Sequence, residues 1–210
     1  MNSPKTEPVR LTQAERTARS DQAMFEAAIA LINERGTQKT TLKEIGERAG
    51  YSRGLANYRF GSKDGLMLEL FDHFDGRWKS HLNDYVDGHT GIEAINQAAN
   101  ALRDFLKQES DYMRAMYLLW YECLGHQTEM RSNLARHHDL YRKDAQRWVE
   151  QGHAAGEIRP EVDAAQFAVQ FCAFIFGIVY QWLVNAESLD LDAVFESYQI
   201  STIRLLSTRA

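Results

Sequence analysis

Proline is scarce in this chain of 210 residues, where it occurs only at Pro4, Pro8 and Pro160. Because proline removes a backbone donor and clashes with the preceding helical turn, about 150 consecutive residues lack the strongest helix breaker. Hydrophobic residues make up 44% of the chain and charged residues 25%, an ordinary balance for a protein that buries a core. The sequence therefore predicts an all-α fold.

Cysteine is equally scarce. Cys123 and Cys172 lie far apart and form no CxxC or metal-like spacing, which is typical of a reducing, intracellular compartment. Residues 1–13 are polar and contain no apolar stretch of the secretory type, so we interpret them as a loose arm and predict a cytoplasmic protein. Redox sensing by the two thiols is disfavoured, because a cysteine on an apolar helix is usually inert.

Charge is absent from residues 164–184, a segment about as long as a bilayer span. Gln166, Gln170 and Gln181 recur there at helical spacing on one side, and no basic loop asymmetry sets a membrane orientation. We therefore predict a buried helix rather than a transmembrane one.

Positive charge is concentrated near the N-terminus. Residues 1–65 carry eleven Lys or Arg against eight Asp or Glu, whereas the remainder carries thirteen against twenty-one. A mildly basic N-terminal part, residues 1–65, followed by an acidic remainder is typical of a protein that binds a polyanion through its N-terminal part alone.

Apolar residues recur with helical period along the rest of the chain, and cap and stop residues divide this pattern into about nine helices. Gly36 ends the first helix, Thr41 and Glu44 have the spacing of a capping box at the second, and Ser52 and Ser62 cap the third and fourth. The predicted helices are 14–35, 41–50, 52–58, 63–87, 91–107, 110–125, 127–155, 163–185 and 190–207.

The second and third helices are short and separated only by a tight turn, the geometry of a helix-turn-helix whose second helix enters the major groove. Arg53 can donate twice to guanine and Asn57 can pair with adenine, so these two residues are candidate base readers. The other candidate DNA contacts are Thr40, Thr41, Ser52, Gly54, Tyr58, Arg59 and Lys63. Periodicity alone is equally compatible with an ordinary polar helix surface.

The run TTLKEIGERAGYSRGLANYRFGSKDGL, from Thr40 to Leu66, resembles the DNA-binding segment of the tetracycline-repressor (TetR) family of bacterial regulators. The matching positions are Thr41, Ile45, Ala49-Gly50, Ser52, Gly54, Tyr58, Phe60, Ser62-Lys63 and Leu66. The resemblance implies that Thr41 and Lys63 clamp phosphates with support from Tyr58 and Arg59, and that residues 52–57 face bases. Tyr51 and the run Leu55-Ala56-Asn57 depart from the family pattern, which leaves the operator sequence open.

On this resemblance, residues 1–62 form an arm and a three-helix DNA-binding domain, and residues 63–210 form a helical body that binds an effector and dimerises. The expected partners are double-stranded operator DNA of near-palindromic sequence, a small apolar or aromatic effector, and a second copy of the chain. No cofactor, metal or membrane is expected. The expected function is repression of transcription, with the protein associated with the nucleoid while it is bound to DNA. Our hypothesis for the switch is that the effector tilts the fourth helix and thereby releases the DNA.

The apolar helix near the C-terminus supports a dimer independently of the resemblance, because its apolar residues lie almost all round it and an outer helix of a monomer leaves such a surface uncovered. With the final helix it could form an intersubunit four-helix bundle through Phe167, Phe174, Ile178, Trp182, Val194, Tyr198 and Leu205. A fully internal helix of a monomer is the alternative.

Aromatic residues and methionines crowd the middle helices, as they do in cavities that bind apolar or aromatic effectors. The candidate pocket residues are Trp78, Met113, Met116, Tyr117, Trp120, His137, Tyr141, Trp148 and Phe171. Core packing uses the same residue types, so it is favoured for any single residue, whereas a pocket is favoured for the set.

Other functional classes find little support. One of His137 and His138 is expected to face inward, where a structural histidine is favoured over a ligand contact or a pH sensor. A metal site that adds His126 to these two is disfavoured, because no HExxH-like pattern or cysteine partner accompanies them. No nucleophile elbow, phosphate loop, dinucleotide fingerprint or zincin pattern indicates an enzyme, and a helical adaptor that binds only proteins is the remaining rival.

Overall fold

The computed structural model describes residues 12–125 and 129–208. Within these ranges the chain forms nine α-helices and one 3₁₀ turn, Ala186–Ser188. The helices are α1 (Gln13–Arg35), α2 (Leu42–Arg48), α3 (Arg53–Phe60), α4 (Lys63–Val86), α5 (Gly91–Gln108), α6 (Ser110–Cys123), α7 (Glu129–Ala154), α8 (Ala164–Val184) and α9 (Leu191–Leu206). The all-helical prediction is confirmed. The predicted start of the seventh helix, at residue 127, lies outside the described residues.

The predicted helix caps form hydrogen bonds to the orphan amides of the first turns. Thr41 Oγ1 accepts from the amide of Glu44 at 3.4 Å, and Ser52 Oγ accepts from the amide of Leu55 at 3.1 Å. The capping box at α2 is only half formed, because the Glu44 carboxylate accepts from the Thr41 hydroxyl at 2.6 Å and pairs with Arg35 at 2.9 Å. Arg35 belongs to α1, so this carboxylate links α2 to the preceding helix.

The chain divides into two compact units, of which one ends at Leu70 and the other begins at Phe71. The division therefore falls within α4, whereas the sequence placed it after residue 62. The first unit contains α1, α2, α3 and the beginning of α4, around the fully buried side chains of Met24, Ile32, Ile45 and Leu66.

The tight turn between α2 and α3 depends on a glycine at 46. A Cβ atom at that position would lie 3.1 Å from the carbonyl oxygen of Ser52, so a larger residue would push the turn away from α2. The amide of Tyr51 donates to the carbonyl of Gly46 at 2.8 Å and closes the turn. This fixes where α3 begins.

The second unit contains the rest of α4 together with α5–α9. In this unit α7 packs against α8 and α5, and α5 packs against α9. Buried alanines at 94, 98 and 101 allow α5 to approach its neighbours closely. The loop after α7 pairs with the chain end through hydrogen bonds from the Arg159 amide to the Leu206 carbonyl and from the Thr208 amide to the Glu157 carbonyl, both at 2.9 Å.

Helix α8 is long and apolar enough to cross a membrane by length and composition, and 39% of its most apolar 18-residue window is buried. The residues that it buries against the rest of the unit are Phe167, Ala168, Phe171, Cys172, Ile178, Val179 and Leu183. The prediction of a buried helix therefore holds for one face only, and the opposite face is open.

Candidate DNA-binding face and effector cavity

Helix α3 separates a buried face from an exposed one. Ala56 and Phe60 face the core of the first unit, where the Phe60 ring lies 5.9 Å from that of Phe25. Arg53, Gly54 and Asn57 lie on the exposed side. The spacing of three to four residues that buries Ala56 and Phe60 is what brings Arg53 and Asn57 to the same surface.

Tyr58 is the most exposed large hydrophobic side chain on this helix, with 88% of its surface open to solvent. Tyrosine is usually at least partly covered, because its ring is apolar and only its hydroxyl is polar. An uncovered tyrosine beside an arginine and an asparagine indicates a surface that meets a partner.

Arg59 lies on α3 but is turned toward the protein. Its guanidinium donates to both carboxylate oxygens of Asp21 at 3.0–3.1 Å and to Glu69 at 2.7–2.8 Å, all within the first unit. Hydrogen bonds to Glu69 and Asp21 raise the pKa of Arg59. The structure therefore gives this arginine a packing role, and the prediction that it contacts phosphates finds no support in its position.

Thr40 is also turned inward, with 1% of its surface exposed, and its hydroxyl donates to the carbonyl of Gly36 at 2.9 Å. It holds the α1–α2 loop and does not reach the surface. Thr41 is exposed at the start of α2. Lys63, at the start of α4, is half-buried, and its Nζ donates to the carbonyl of Thr37 at 2.5 Å, which holds its charge near the same loop.

Sequence reasoning missed two exposed lysines that flank Thr41 in the chain. Lys39 is exposed in the loop before α2, and Lys43 is exposed in its first turn, 3.9 Å from Glu47. The signal that could have found them is their position on either side of a helix N-terminus, where backbone amides already attract anions.

A cavity of about 70 Å³ lies in the second unit. It is lined by seven of the nine predicted pocket residues, Trp78, Met113, Tyr117, Trp120, Tyr141, Trp148 and Phe171. Met116 and His137 do not line it. Met116 is fully buried, and the buried His137 ring packs edge-on against Phe71 at 4.8 Å, with Nδ1 2.7 Å from Asp75 Oδ1.

The polar groups at the cavity are few: the indole N–H of Trp120 is buried without a hydrogen-bond partner in the described part of the chain, whereas two tyrosine hydroxyls are bonded. Tyr117 Oη donates to the carbonyl of Phe176 at 3.2 Å, and Tyr141 Oη donates to Asp75 Oδ1 at 3.1 Å. Burial raises the pKa of Cys172 to about 11, so this thiol is protonated at neutral pH. A protonated thiol is a poor nucleophile, which disfavours redox sensing at this cavity.

Two protein-family models match this chain. "Bacterial regulatory proteins, tetR family" matches residues 25–70, and "Tetracyclin repressor-like, C-terminal domain" matches residues 117–196. The chain belongs to the TetR family. As a member it is a DNA-binding transcriptional regulator controlled by a small molecule, and not an enzyme.

Relatives of this TetR-family chain match it over most of its length. It is 25% identical over 179 residues to the HTH-type transcriptional regulator TtgR of Pseudomonas putida, covering 80% of this chain and 82% of TtgR. A TetR-family regulator from Rhodococcus has a similar fold, with a TM-score of 0.77, 20% identity and coverage of 89% and 98%. NalD of Pseudomonas aeruginosa, the secondary repressor of the MexAB-OprM multidrug efflux pump, gives a TM-score of 0.73, 19% identity and coverage of 92% and 100%.

In this TetR-family chain, the predicted dimer contacts on α8 and α9 divide into two groups. Phe167 and Ile178 are buried within the unit, which leaves little of either side chain for a second copy. Phe174, Trp182, Val194 and Tyr198 are half-buried, with the rings of Phe174 and Tyr198 stacked at 3.6 Å, and Leu205 is exposed. The exposed apolar residues that the prediction missed are Val169, Tyr180, Val184, Ile200 and Ile203. A helix that is apolar all round gives no periodic signal for which side its own chain covers.

Proposed function

We propose that this TetR-family chain represses transcription from the cytoplasm as a homodimer on a near-palindromic operator, and that a small, largely apolar or aromatic effector releases it. The observation that carries the proposal is the exposed polar face of α3. Arg53, Asn57 and Tyr58 lie uncovered there, while the neighbouring Arg59 is held by carboxylates.

The proposed DNA contacts fall into two classes. Arg53 and Asn57 read base edges in the major groove, where arginine pairs with guanine and asparagine with adenine. Gly54 is exposed and has no side chain, so the backbone can approach DNA closely there. The second class binds backbone phosphates and so positions α3 on the duplex. It consists of Ser52, Thr41, Tyr58 and Lys63, together with the backbone amides at the N-termini of α2 and α4.

The proposed dimer uses the open face of α8 and α9. Val184 on α8 is 68% exposed and Leu205 on α9 is 53% exposed, although both side chains are apolar. Apolar surface of this kind is typical of a contact between subunits. A twofold axis through it presents two copies of α3 to one DNA duplex, which is why the operator should be close to palindromic.

The proposed switch runs through α4. This helix begins at Lys63, in the first unit, and places Phe74, Trp78 and Leu82 in the wall of the cavity. An effector that pushes on this wall shifts the helix that leads into the DNA-binding unit. A coupling of about 1–3 kcal/mol between the sites would weaken DNA binding roughly 5- to 150-fold.

The test starts from operator fragments selected out of random duplex DNA by the purified chain. Arg53→Ala and Asn57→Ala together should remove the preference for the selected sequence over a scrambled duplex, because each lost base contact costs roughly 1–3 kcal/mol of discrimination. Arg136→Ala, which removes an exposed arginine from α7, should leave the preference unchanged. Retention of the preference by the double variant would contradict the proposed face.

A further inference from the structure

The cavity wall combines aromatic faces with a carboxylate. Trp78, Trp120 and Trp148 contribute three indole rings, and phenylalanine and tyrosine rings supply much of the rest. Asp144 is the one charged side chain among the described residues that line the cavity. The face of an aromatic ring carries partial negative charge, so both components of this wall attract a cation.

Arg147 offsets part of the charge of Asp144, but no arginine is among the described residues that line the cavity. Arg142 and Arg147 of α7 pair with Asp139 at 3.6 Å and with Asp144 at 2.8 Å, and neither is among the described lining residues. The side chains of Asp144 and Arg147 are 34% and 57% exposed, so water screens their attraction. A cation that enters the cavity can therefore replace Arg147 as the partner of Asp144.

The tyrosine hydroxyls offer little to an anion. Tyr117 and Tyr141 donate their hydroxyl protons to the Phe176 carbonyl and to Asp75, at 3.2 Å and 3.1 Å. A carboxylate or phosphate in this cavity would find no positive lining residue among those described and no free tyrosine donor. The indole N–H of Trp120, which is buried without a hydrogen-bond partner among the described residues, is a neutral donor and leaves the charge of an anion uncompensated. The anion would also lie close to Asp144, which repels it.

We propose that the ligand of this cavity is a lipophilic organic cation, whose apolar body packs among the rings and whose positive charge lies against the indoles and Asp144. That this ligand is also the effector rests on the proposed function, but its binding does not. The cavity is about half the ~150 Å³ that admits benzene. Aromatic side chains must therefore rotate to admit it.

Two probes of the same shape isolate the charge. Phenyltrimethylammonium and tert-butylbenzene differ only in the nitrogen cation that replaces a quaternary carbon. Binding to the full chain is followed by quenching of tryptophan fluorescence, which three cavity-lining indoles report. The cation should bind about tenfold more tightly than the hydrocarbon, and benzoate should not bind at millimolar concentration.

Asp144→Asn supplies the variant and Asp139→Asn its matched control. Asp139 lies on the same helix and pairs with Lys143 at 2.8 Å, but it does not line the cavity. Asp144→Asn should lower the affinity for phenyltrimethylammonium about 3- to 10-fold and leave that for tert-butylbenzene unchanged, whereas Asp139→Asn should change neither. The proposal would be overturned if the native chain bound the two isosteres with equal affinity or did not bind the cation. It would also be overturned if the two variants had equal effects.

Retention of the selected operator is measured in the same samples. Charge-dependent binding that leaves DNA retention unchanged would refute the proposed regulation and support the cation site. Release of DNA by the neutral and cationic isosteres at the same concentration would refute the cation site and support the regulation.

Discussion

Two arginines six residues apart on α3 illustrate how position decides function at the scale of single residues. Arg59 bridges Asp21 and Glu69, and the Asp21 side chain is mostly buried. Arg53 is exposed and has its guanidinium on the proposed DNA-binding face. The same side chain is therefore held by ion pairs at one position and open to solvent, and so available to a partner, at the other.

Arg59→Ala is expected to lower the free energy of unfolding by about 1–3 kcal/mol, because it leaves the Asp21 carboxylate without its cation. Arg53→Ala should change that free energy by less than about 0.5 kcal/mol, as exposed substitutions usually do, and should weaken operator binding. Urea unfolding and DNA titration of both variants check the two effects. If Arg53→Ala were the more destabilising variant, the roles assigned to the two arginines would be wrong.

Gly91, the first residue of α5, has φ of 58°, in the left-handed region that favours glycine. A Cβ atom there would collide with Glu157, whose carboxylate accepts from the amide of Ile92 at 2.9 Å. Gly91→Ala should therefore lower the unfolding temperature, while Gly76→Ala, in open space within α4, should raise it. Calorimetry of the two variants measures both shifts, and the same sign for both would contradict this account.

At the scale of helices, local signals predicted the elements and missed their tertiary surroundings. Caps at Thr41, Ser52 and Ser62 act over three residues, so the sequence alone reveals them. The α3 helix runs two residues beyond its predicted end because Phe60 packs on Phe25, thirty-five positions away. The partners of Arg59 are similarly remote in sequence, so no local pattern separated it from Arg53.

The cavity and the face of α8 show the same limit. The crowding of aromatic residues and methionines predicted seven of the cavity-lining residues because most such residues on the middle helices are buried, although Tyr121 is not. It could not exclude His137, whose Asp75 partner lies on another helix. On α8 the buried Phe167 and the exposed Val169 are equally apolar, and only the packing of the neighbouring helices distinguishes them.

The open face of α8 and α9 gives a prediction for these helices. Leu205→Glu should shift the chain from a dimer toward the 24.1 kDa monomer in sedimentation, because a carboxylate buried at a subunit contact loses its hydration. Leu140→Glu changes a leucine on α7 of similar exposure, 48% against 53%; it is the matched control and should leave the mass unchanged. A native chain that sediments only as the monomer at micromolar concentration would contradict the proposed interface.

At the scale of the whole molecule, charge and symmetry act together. The chain carries a formal net charge of −5, yet its first 65 residues are net positive. An acidic body keeps nonspecific attraction to DNA low, so binding depends on the few cations that the DNA-binding units present. In a dimer each of these cations occurs twice on one duplex.

That doubling can be measured through salt. The logarithm of the operator affinity should fall linearly with the logarithm of salt concentration, with a slope of about −0.9 for each phosphate contact. Lys63→Met removes one contact from each protomer, so it should reduce the slope by about 1.8 in a dimer and by about 0.9 in a monomer. Lys79→Met, which changes an exposed lysine farther along α4, should leave the slope unchanged.

Because the slope counts contacts on the bound DNA, it tests the proposed role of Lys63 and the number of protomers at the operator in one titration series. An unchanged slope for Lys63→Met would show that its ammonium, already bonded to the Thr37 carbonyl at 2.5 Å, serves only the α1–α2 loop.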